Sequence, residues 1–456
     1  VMRDRATFTE ILQFTKGAVS EAQILEKHYP KYKDSYLKLL ALDLDNQQLG
    51  LLLEMGWPEF IYPVPGRQIA FGKSGAIPSY AYFDEGSFAL ELSQRQIRTI
   101  FNQKATAEEF ETLIKGQFDC LYRESEQAPR VMATAGSPPV DGWVSLSLHA
   151  GASVDEIHRA AADPERLLIV EVSEKFPRTF GLPQHEHRIH VDNIDVLITS
   201  EREPLNLADT VATEAELAIA QLAMSFIHSG CTLQTGIGGI PNQIATAIAE
   251  SNLEDLGIHS EMFTSGLMRI HQSGKVTNNK GSSFDGYSIT TFAAGVPELY
   301  TWLHENDAVR FLPVHVVNSP ELIAQNRDMV TINGALAVDL AGQVIADTID
   351  GTQFSGVGGH EDFVSGPGLD STDRSLICLP STSTINGTLT SRIMGGLPAG
   401  SVVSTPRHQV DVIITEFGIA ELEGRTIRER ATALAEIAHP QFRDELLATA
   451  QKWPRD

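Results

Sequence analysis

Carboxylates and glycine-rich turns carry the chemistry legible in this chain. From Cys231 the sequence runs C-T-L-Q-T-G-I-G-G-I-P-N-Q-I-A-T-A-I-A-E, and D-L-G-I-H-S-E-M-F then closes the stretch at Phe263. At Gly236, Gly238 and Gly239 the backbone can approach a ligand with no side chain between. A glycine turn feeding a helix N-terminus presents free N–H groups to an anion. Glu261 follows about one strand later. Asn318 in V-H-V-V-N-S-P and Glu416 in V-I-I-T-E-F-G join Glu261 at the carboxyl ends of predicted strands. In an open parallel sheet that edge binds ligands, near a switch in strand order. A second glycine-rich loop, S-G-V-G-G-H-E-D-F over Ser355–Phe363, can also offer N–H groups. Taken singly, each polar residue reads as a helix cap or a solvent contact. Together with two donor loops, they point to a site.

Glu261 has a specific rival role. A glycine-rich strand-to-helix turn followed about 20 residues later by an acid is the dinucleotide fingerprint. Here G-I-G-G-I-P lacks the final glycine, so a nicotinamide-dependent oxidoreductase fits only in part. H-E-H-R-I-H places His185, His187 and His190 close together, and a metal is conceivable. No cysteine or paired carboxylate completes such a site, which favours a polar surface segment. There is no G-x-S-x-G elbow for serine chemistry. The charged run Arg425–Arg430 reads as a solvated helix start.

These residues need elements to hold them. Up to about Arg130 the chain is hard to read, with helices expected over Phe8–Leu25 and Thr106–Phe118 and a mixed stretch over Gly50–Gly86. Beyond it, a helix over Ser153–Ala162 lies between a strand leading out of G-S-P-P-V-D-G-W-V-S-L-S and a buried strand Leu167–Val172, with another strand over Asn193–Thr199. This alternation predicts a parallel α/β sheet. Polar, aperiodic Ser200–Thr210 marks the expected boundary between domains 1–205 and 206–456. A helix follows, started by the capping box Thr213/Glu216 and stopped at Gly230. Strands are expected at Cys231–Thr235, Gly257–Glu261, Arg310–Val317, Val330–Val338, Ser375–Leu379 and Val410–Thr415. Helices over Ala431–Ile437 and Gln441–Ala450 close the chain.

At 456 residues the chain can build two domains with separate cores. A formal charge of −24 argues against nucleic acid or an anionic membrane as partner. It leaves room for a small anion held by local backbone donors. Cys120, Cys231 and Cys378 lack CxxC spacing, so neither disulfides nor zinc are expected. No apolar run reaches membrane length and the polar start is no signal peptide, which makes a cytoplasmic enzyme the expectation.

Beyond these features the sequence resembles the acetyl-CoA hydrolase/transferase family of CoA-transferases, which includes 4-hydroxybutyrate and succinate:acetate CoA-transferases. The matching stretches are G-I-G-G-I-P, L-G-I-H-S-E-M-F, V-V-N-S-P-E, I-N-G-A-L-A-V-D-L-A-G-Q-V, S-G-V-G-G-H-E-D-F, I-I-T-E-F-G-I-A-E-L-E-G and E-R-A-T-A-L-A-E-I-A-H-P-Q-F-R. They keep the family's order over about Asp141–Ala450, while the first 130 residues are atypical of it. The resemblance implies two similar, open, mostly parallel α/β domains with the active site between them, in a homodimer or higher homo-oligomer. It implies that Glu261 attacks an acyl-CoA thioester, and that backbone N–H groups at Ile237 and Gly359 form an oxyanion hole. Asn318 and Glu416 would position the reacting carboxylate and CoA. Gly236, Gly238 and Gly239, with Gly356, Val357, Gly358 and Gly359, would line the CoA-binding region. The substrates would be an acyl-CoA and a small carboxylic acid, with no metal or redox cofactor. Hydrolysis of the acyl-CoA and a catalytically silent CoA-binding protein remain alternatives.

Overall fold

The structure, a computed structural model, describes residues 131–453 apart from 165, 210, 350, 351, 354, 368–371 and 386. The helices and mixed stretch expected before residue 130 lie outside the described residues. The chain divides into a unit ending at Leu205, joined by Leu303–Glu305 and Phe311–Pro313, and a unit formed by the rest.

In the first unit, the L-L-I-V-E-V run is buried along its whole length, as expected of a strand in a parallel sheet covered on both faces. It forms β2 (Leu167–Val172), flanked in parallel by β1 (Val131–Gly136) and β3 (Val196–Thr199). Helix α1 (Val154–Ala162) packs on β1 and β2. Its buried Glu156 pairs with Arg166 at 2.5 Å and Arg159 at 3.3 Å, so the carboxylate is not left uncompensated.

The second unit opens with α2 (Glu214–Ala223), where Thr213 and Glu216 form the capping box their spacing predicts. The buried strand β4 (Thr232–Thr235) leads through the glycine turn into α3 (Gly239–Glu250), then β5 (Gly257–Ile258) and α4 (Ser265–Gln272). Strand β6 (Met329–Gly334) precedes α5 (His360–Ser365) and β7 (Arg374–Cys378). After β8 (Val412–Thr415) and β9 (Gly418–Glu421) the chain closes with α6 (Ile427–Glu436) and α7 (Pro440–Ala450). The sheet order is β9-β8-β7-β6-β4-β5. Every pairing is parallel except the β8–β9 hairpin. From β4 the chain passes first to β5 on one side, then to β6 on the other. The order therefore reverses between β4 and β6, beside the Gly236–Gly239 turn.

Three expected strands differ in the structure. Arg310–Val317 is a strand only over Val309–Phe311; Val314–Val317 is a helical turn. Pro313 explains the break, because it has no N–H for a ladder and its fixed φ suits a helix start. Val330–Val338 splits after Gly334, and Ala337–Asp339 pairs instead with Val344–Ile345 and Ile393–Met394. Gly257–Glu261 ends as a ladder at Ile258, with Glu261 in the link to the strand Met262–Phe263. The Arg425–Arg430 run does start a helix, but Arg430 is buried and donates to the Arg407 carbonyl at 2.6 Å.

Candidate active site

Glu261 owes its position to its own main chain. The Glu261 carbonyl accepts from Thr290 Oγ1 at 2.7 Å, Thr291 N at 2.9 Å and Phe292 N at 3.2 Å. Three donors on one carbonyl pin the backbone from which the side chain projects. The carboxylate faces the second glycine loop. A β-carbon built on Gly358 would lie 3.9 Å from Glu261 Oε1, while one on Gly359 would overlap Oε2. Gly359 is also the N-cap of α5.

Asn318 meets the same spot. A β-carbon on Gly359 would overlap Asn318 Nδ2 as well, so the amide and the carboxylate crowd the same spot, too tight for a methyl group. The fully buried His259 ties the two residues together. Asn326 Nδ2 approaches its Nδ1 at 2.8 Å and its Nε2 lies 2.7 Å from the Val317 carbonyl. Burial pushes the His259 pKa down to about 4, so the ring is neutral, accepting at Nδ1 and donating at Nε2. A residue two places before Glu261 thus anchors the residue just before Asn318. Asn318 Nδ2 in turn donates to Asp362 Oδ2 at 3.1 Å. Burial raises the Asp362 carboxyl to about 6, opposed by the Asn318 hydrogen bond and reinforced by neighbouring Glu361.

The first glycine loop divides its tasks. Gly236 N–H donates to the Ile332 carbonyl at 3.1 Å and is therefore already engaged. Gly238 has φ +116° and open space where a β-carbon would stand. Gly239 abuts Glu216: a β-carbon there would lie 2.6 Å from its Cδ. The start of α3 already faces a carboxylate, which works against a phosphate and hence against the dinucleotide reading. The Ile237 side chain points to solvent, 63% exposed. A cleft of about 180 Å³ opens on this loop, lined by Ile237, Gly238, Asn242, Thr264 and Ser265 among others.

Glu416 is held separately. Its Oε2 accepts from Ser381 N at 2.8 Å and its Oε1 from Ser381 Oγ at 2.5 Å. Strands β8 and β5 are four places apart in the sheet. Glu261 is not on β5 but in the link beyond it, and the fold gathers Glu261, Asn318, Gly358 and Gly359 at one point. The Gly356 carbonyl accepts from Ser355 Oγ at 3.1 Å.

His259, Asp362 and Ser381 escaped the sequence reading. Asp362 had a signal: it stands three residues after Gly359 in G-G-H-E-D-F, a helical spacing that returns it to the same side of α5. His259 and Ser381 had none, because their partners are 58 and 35 residues away. Of the histidine cluster, His187 is buried, stacks on Phe311 and meets the Ser147 carbonyl at 2.9 Å. Among the described residues no group of His, Cys, Asp and Glu is arranged to hold a metal ion.

The family model for the acetyl-CoA hydrolase/transferase C-terminal domain matches residues 295–450. A probable butyrate:acetyl-CoA coenzyme A-transferase of Syntrophomonas wolfei is 39% identical over 295 residues, 64% of this chain and 65% of that protein. The match therefore spans just under two thirds of that relative. The succinyl-CoA:cyclohexane-1-carboxylate CoA transferase of Geobacter metallireducens is 34% identical over 355 residues, 76% of this chain and 78% of the relative. The solved structure of RipA from Yersinia pestis superposes with a TM-score of 0.65 at 32% identity, covering 76% of this chain and 80% of the other.

Proposed function

Because the chain belongs to the acetyl-CoA hydrolase/transferase family, we propose that it transfers coenzyme A from an acyl-CoA to a small carboxylic acid through a covalent thioester on Glu261. The observation that carries this reading is the Glu261 carboxylate, backbone-pinned and set against the Gly358–Gly359 backbone beside Asn318.

The steps follow from carboxylate chemistry. A Glu261 oxygen adds to the thioester carbonyl and forms a tetrahedral oxyanion. Collapse expels CoA thiolate and leaves a mixed anhydride between Glu261 and the acyl group. The thiolate attacks the glutamyl carbonyl of that anhydride, releasing the acyl group as its carboxylate and forming glutamyl-CoA. An incoming acid then repeats the sequence backwards, regenerating Glu261 and producing a new acyl-CoA. No net proton or electron is consumed, so the reaction calls for no metal or redox group.

Each oxyanion needs aimed donors, and removing one costs about 2.7–4 kcal/mol in the barrier. We assign that task to the backbone N–H groups of Ile237 and Gly359. Asn318 and Glu416 position the reacting carboxylate and the CoA, with the two glycine loops bordering the CoA. Acetate, succinate, butyrate or 4-hydroxybutyrate fits the acceptor chemistry. The reading extends to a homodimer or higher homo-oligomer working in the cytoplasm. No helix among the described residues is long and apolar enough to cross a membrane.

The test is mass spectrometry of intact protein and peptides after brief exposure to acetyl-CoA, succinyl-CoA or butyryl-CoA. A CoA-sized adduct on the peptide holding Glu261, lost in Glu261→Ala, is expected. A folded protein that forms no adduct with any of them would remove the proposal. Hydrolysis differs only in water taking the acceptor's place. CoA release that does not depend on added carboxylate would mark a hydrolase.

A further inference from the structure

We propose that Asp362 is a positioning residue for this reaction, fixing which end of the Asn318 amide faces Glu261. The inference rests on the proposed role of Glu261. Asn318 is 7% exposed, and its amide could in principle sit either way round. Its Nδ2 donates to Asp362 Oδ2, and the same nitrogen borders the space that Glu261 Oε2 also borders beside Gly359. Asn318 Oδ1 is buried with no hydrogen-bond partner among the described residues. An amide that tolerates an unsatisfied oxygen is being held by its other end.

The chemistry of the partners explains the choice. An ionised carboxylate only accepts, whereas an amide nitrogen carries two donor hydrogens. Asp362 therefore selects the nitrogen. The flipped amide would bring its oxygen up to Asp362 on one side and Glu261 on the other, and like partial charges would repel at both. With the nitrogen held by Asp362, its second N–H stays beside the carboxylate that reacts. Position adds to this: Asp362 is on α5, whose N-cap is Gly359, so one short helix carries both the close-packed glycine and the amide's anchor. Among the described residues, Glu361, its neighbour on α5, is the charged group that adds to the raised pKa of Asp362. Its raised pKa, about 6, still leaves it ionised at neutral pH.

The test is the rate of Glu261–CoA adduct formation in the full chain, followed by quench and mass spectrometry. Four variants are compared with the parent: Asp362→Ala, Asp362→Asn, Asn318→Ala and the double Asn318→Ala/Asp362→Ala. Asp362→Ala is expected to slow adduct formation between about tenfold and a hundredfold. The double variant is expected to be no slower than Asn318→Ala alone, because Asp362 acts through that amide. Asp362→Asn can accept from Nδ2 but also donate to Oδ1. It should recover part of the rate and lose any acid limb near pH 6. An Asp362→Ala rate equal to the parent, or multiplied losses in the double variant, would overturn the proposal. Should Asp362→Ala fail to fold, Asp362→Asn decides alone: a parental rate with a parental pH profile refutes the role. Absence of the adduct in the parent would instead remove the glutamyl-CoA reading and this inference with it.

Discussion

Gly359 and Glu261 meet so closely that a β-carbon on the glycine would lie 2.7 Å from the carboxylate carbon and overlap one of its oxygens. The glycine itself has φ −82° and ψ 9°, a conformation open to any residue. Space, not backbone freedom, makes glycine necessary there. Gly359→Ala should therefore fold with a melting temperature within a few degrees of the parent yet turn over about a hundredfold more slowly, since displacing a reacting group by an ångström costs on that order. Comparable activity in the alanine variant would show that Glu261 reacts from another position.

Gly239 offers the contrast. There a β-carbon would strike the Glu216 carboxylate, whose Oε2 caps α2 by accepting from Thr213 N at 2.8 Å and Thr213 Oγ1 at 2.9 Å. Gly239→Ala should destabilise by about 1–3 kcal/mol, the usual penalty of overpacking. Urea unfolding of Gly239→Ala, Glu216→Ala and the double variant checks the cause. Removing the carboxylate should relieve the clash, so strictly additive losses would place the strain elsewhere.

Ser381 holds the Glu416 carboxylate through both its N–H and its hydroxyl. Ser381→Ala keeps the first bond and loses the second. If Glu416 positions substrate, kcat/KM for the acyl-CoA should fall by about tenfold, the value of one hydrogen bond to a charged group. An unchanged kcat/KM would make Glu416 a strand-end cap.

Acid should unfold this protein through histidines that the fold desolvates, His187 and His259 fully buried and His271 and His360 half-buried. Burial holds His187, His259, His271 and His360 at about 4 instead of the ordinary 6.5. Between those values the unfolded chain binds protons that the folded chain does not. The associated stability is complete above pH 6.5 and is lost as pH falls toward 4, on the order of 3 kcal/mol per histidine. Asp362 acts oppositely. With its pKa raised to about 6, its contribution is present below about 3.8 and lost as pH rises through 6. Four histidines outweigh one carboxyl, so urea midpoints should fall steadily from pH 7 to 4.5, less so in His259→Gln. A flat profile would mean that these rings are not held neutral.

The sequence by itself determined the local pieces: the Thr213/Glu216 capping box, the buried L-L-I-V-E-V strand, the helix beyond the glycine turn and the stretches by which the family is known. Each rests on periodicity or on contacts a few residues apart. It misjudged V-H-V-V, whose β-branched run reads as strand until Pro313 is weighed as a helix start. Only the tertiary structure decided which residues share a site. Sheet order carries β5 to one side of β4 and β6 to the other. The backbone pinned at Glu261, the His259–Val317 bond and the packing of α5 then bring Glu261, Asn318, Gly359 and Asp362 to one point. Such convergence depends on hydrogen bonds spanning tens of residues, and no local pattern in a chain encodes which of its distant carboxylates and amides those bonds will join.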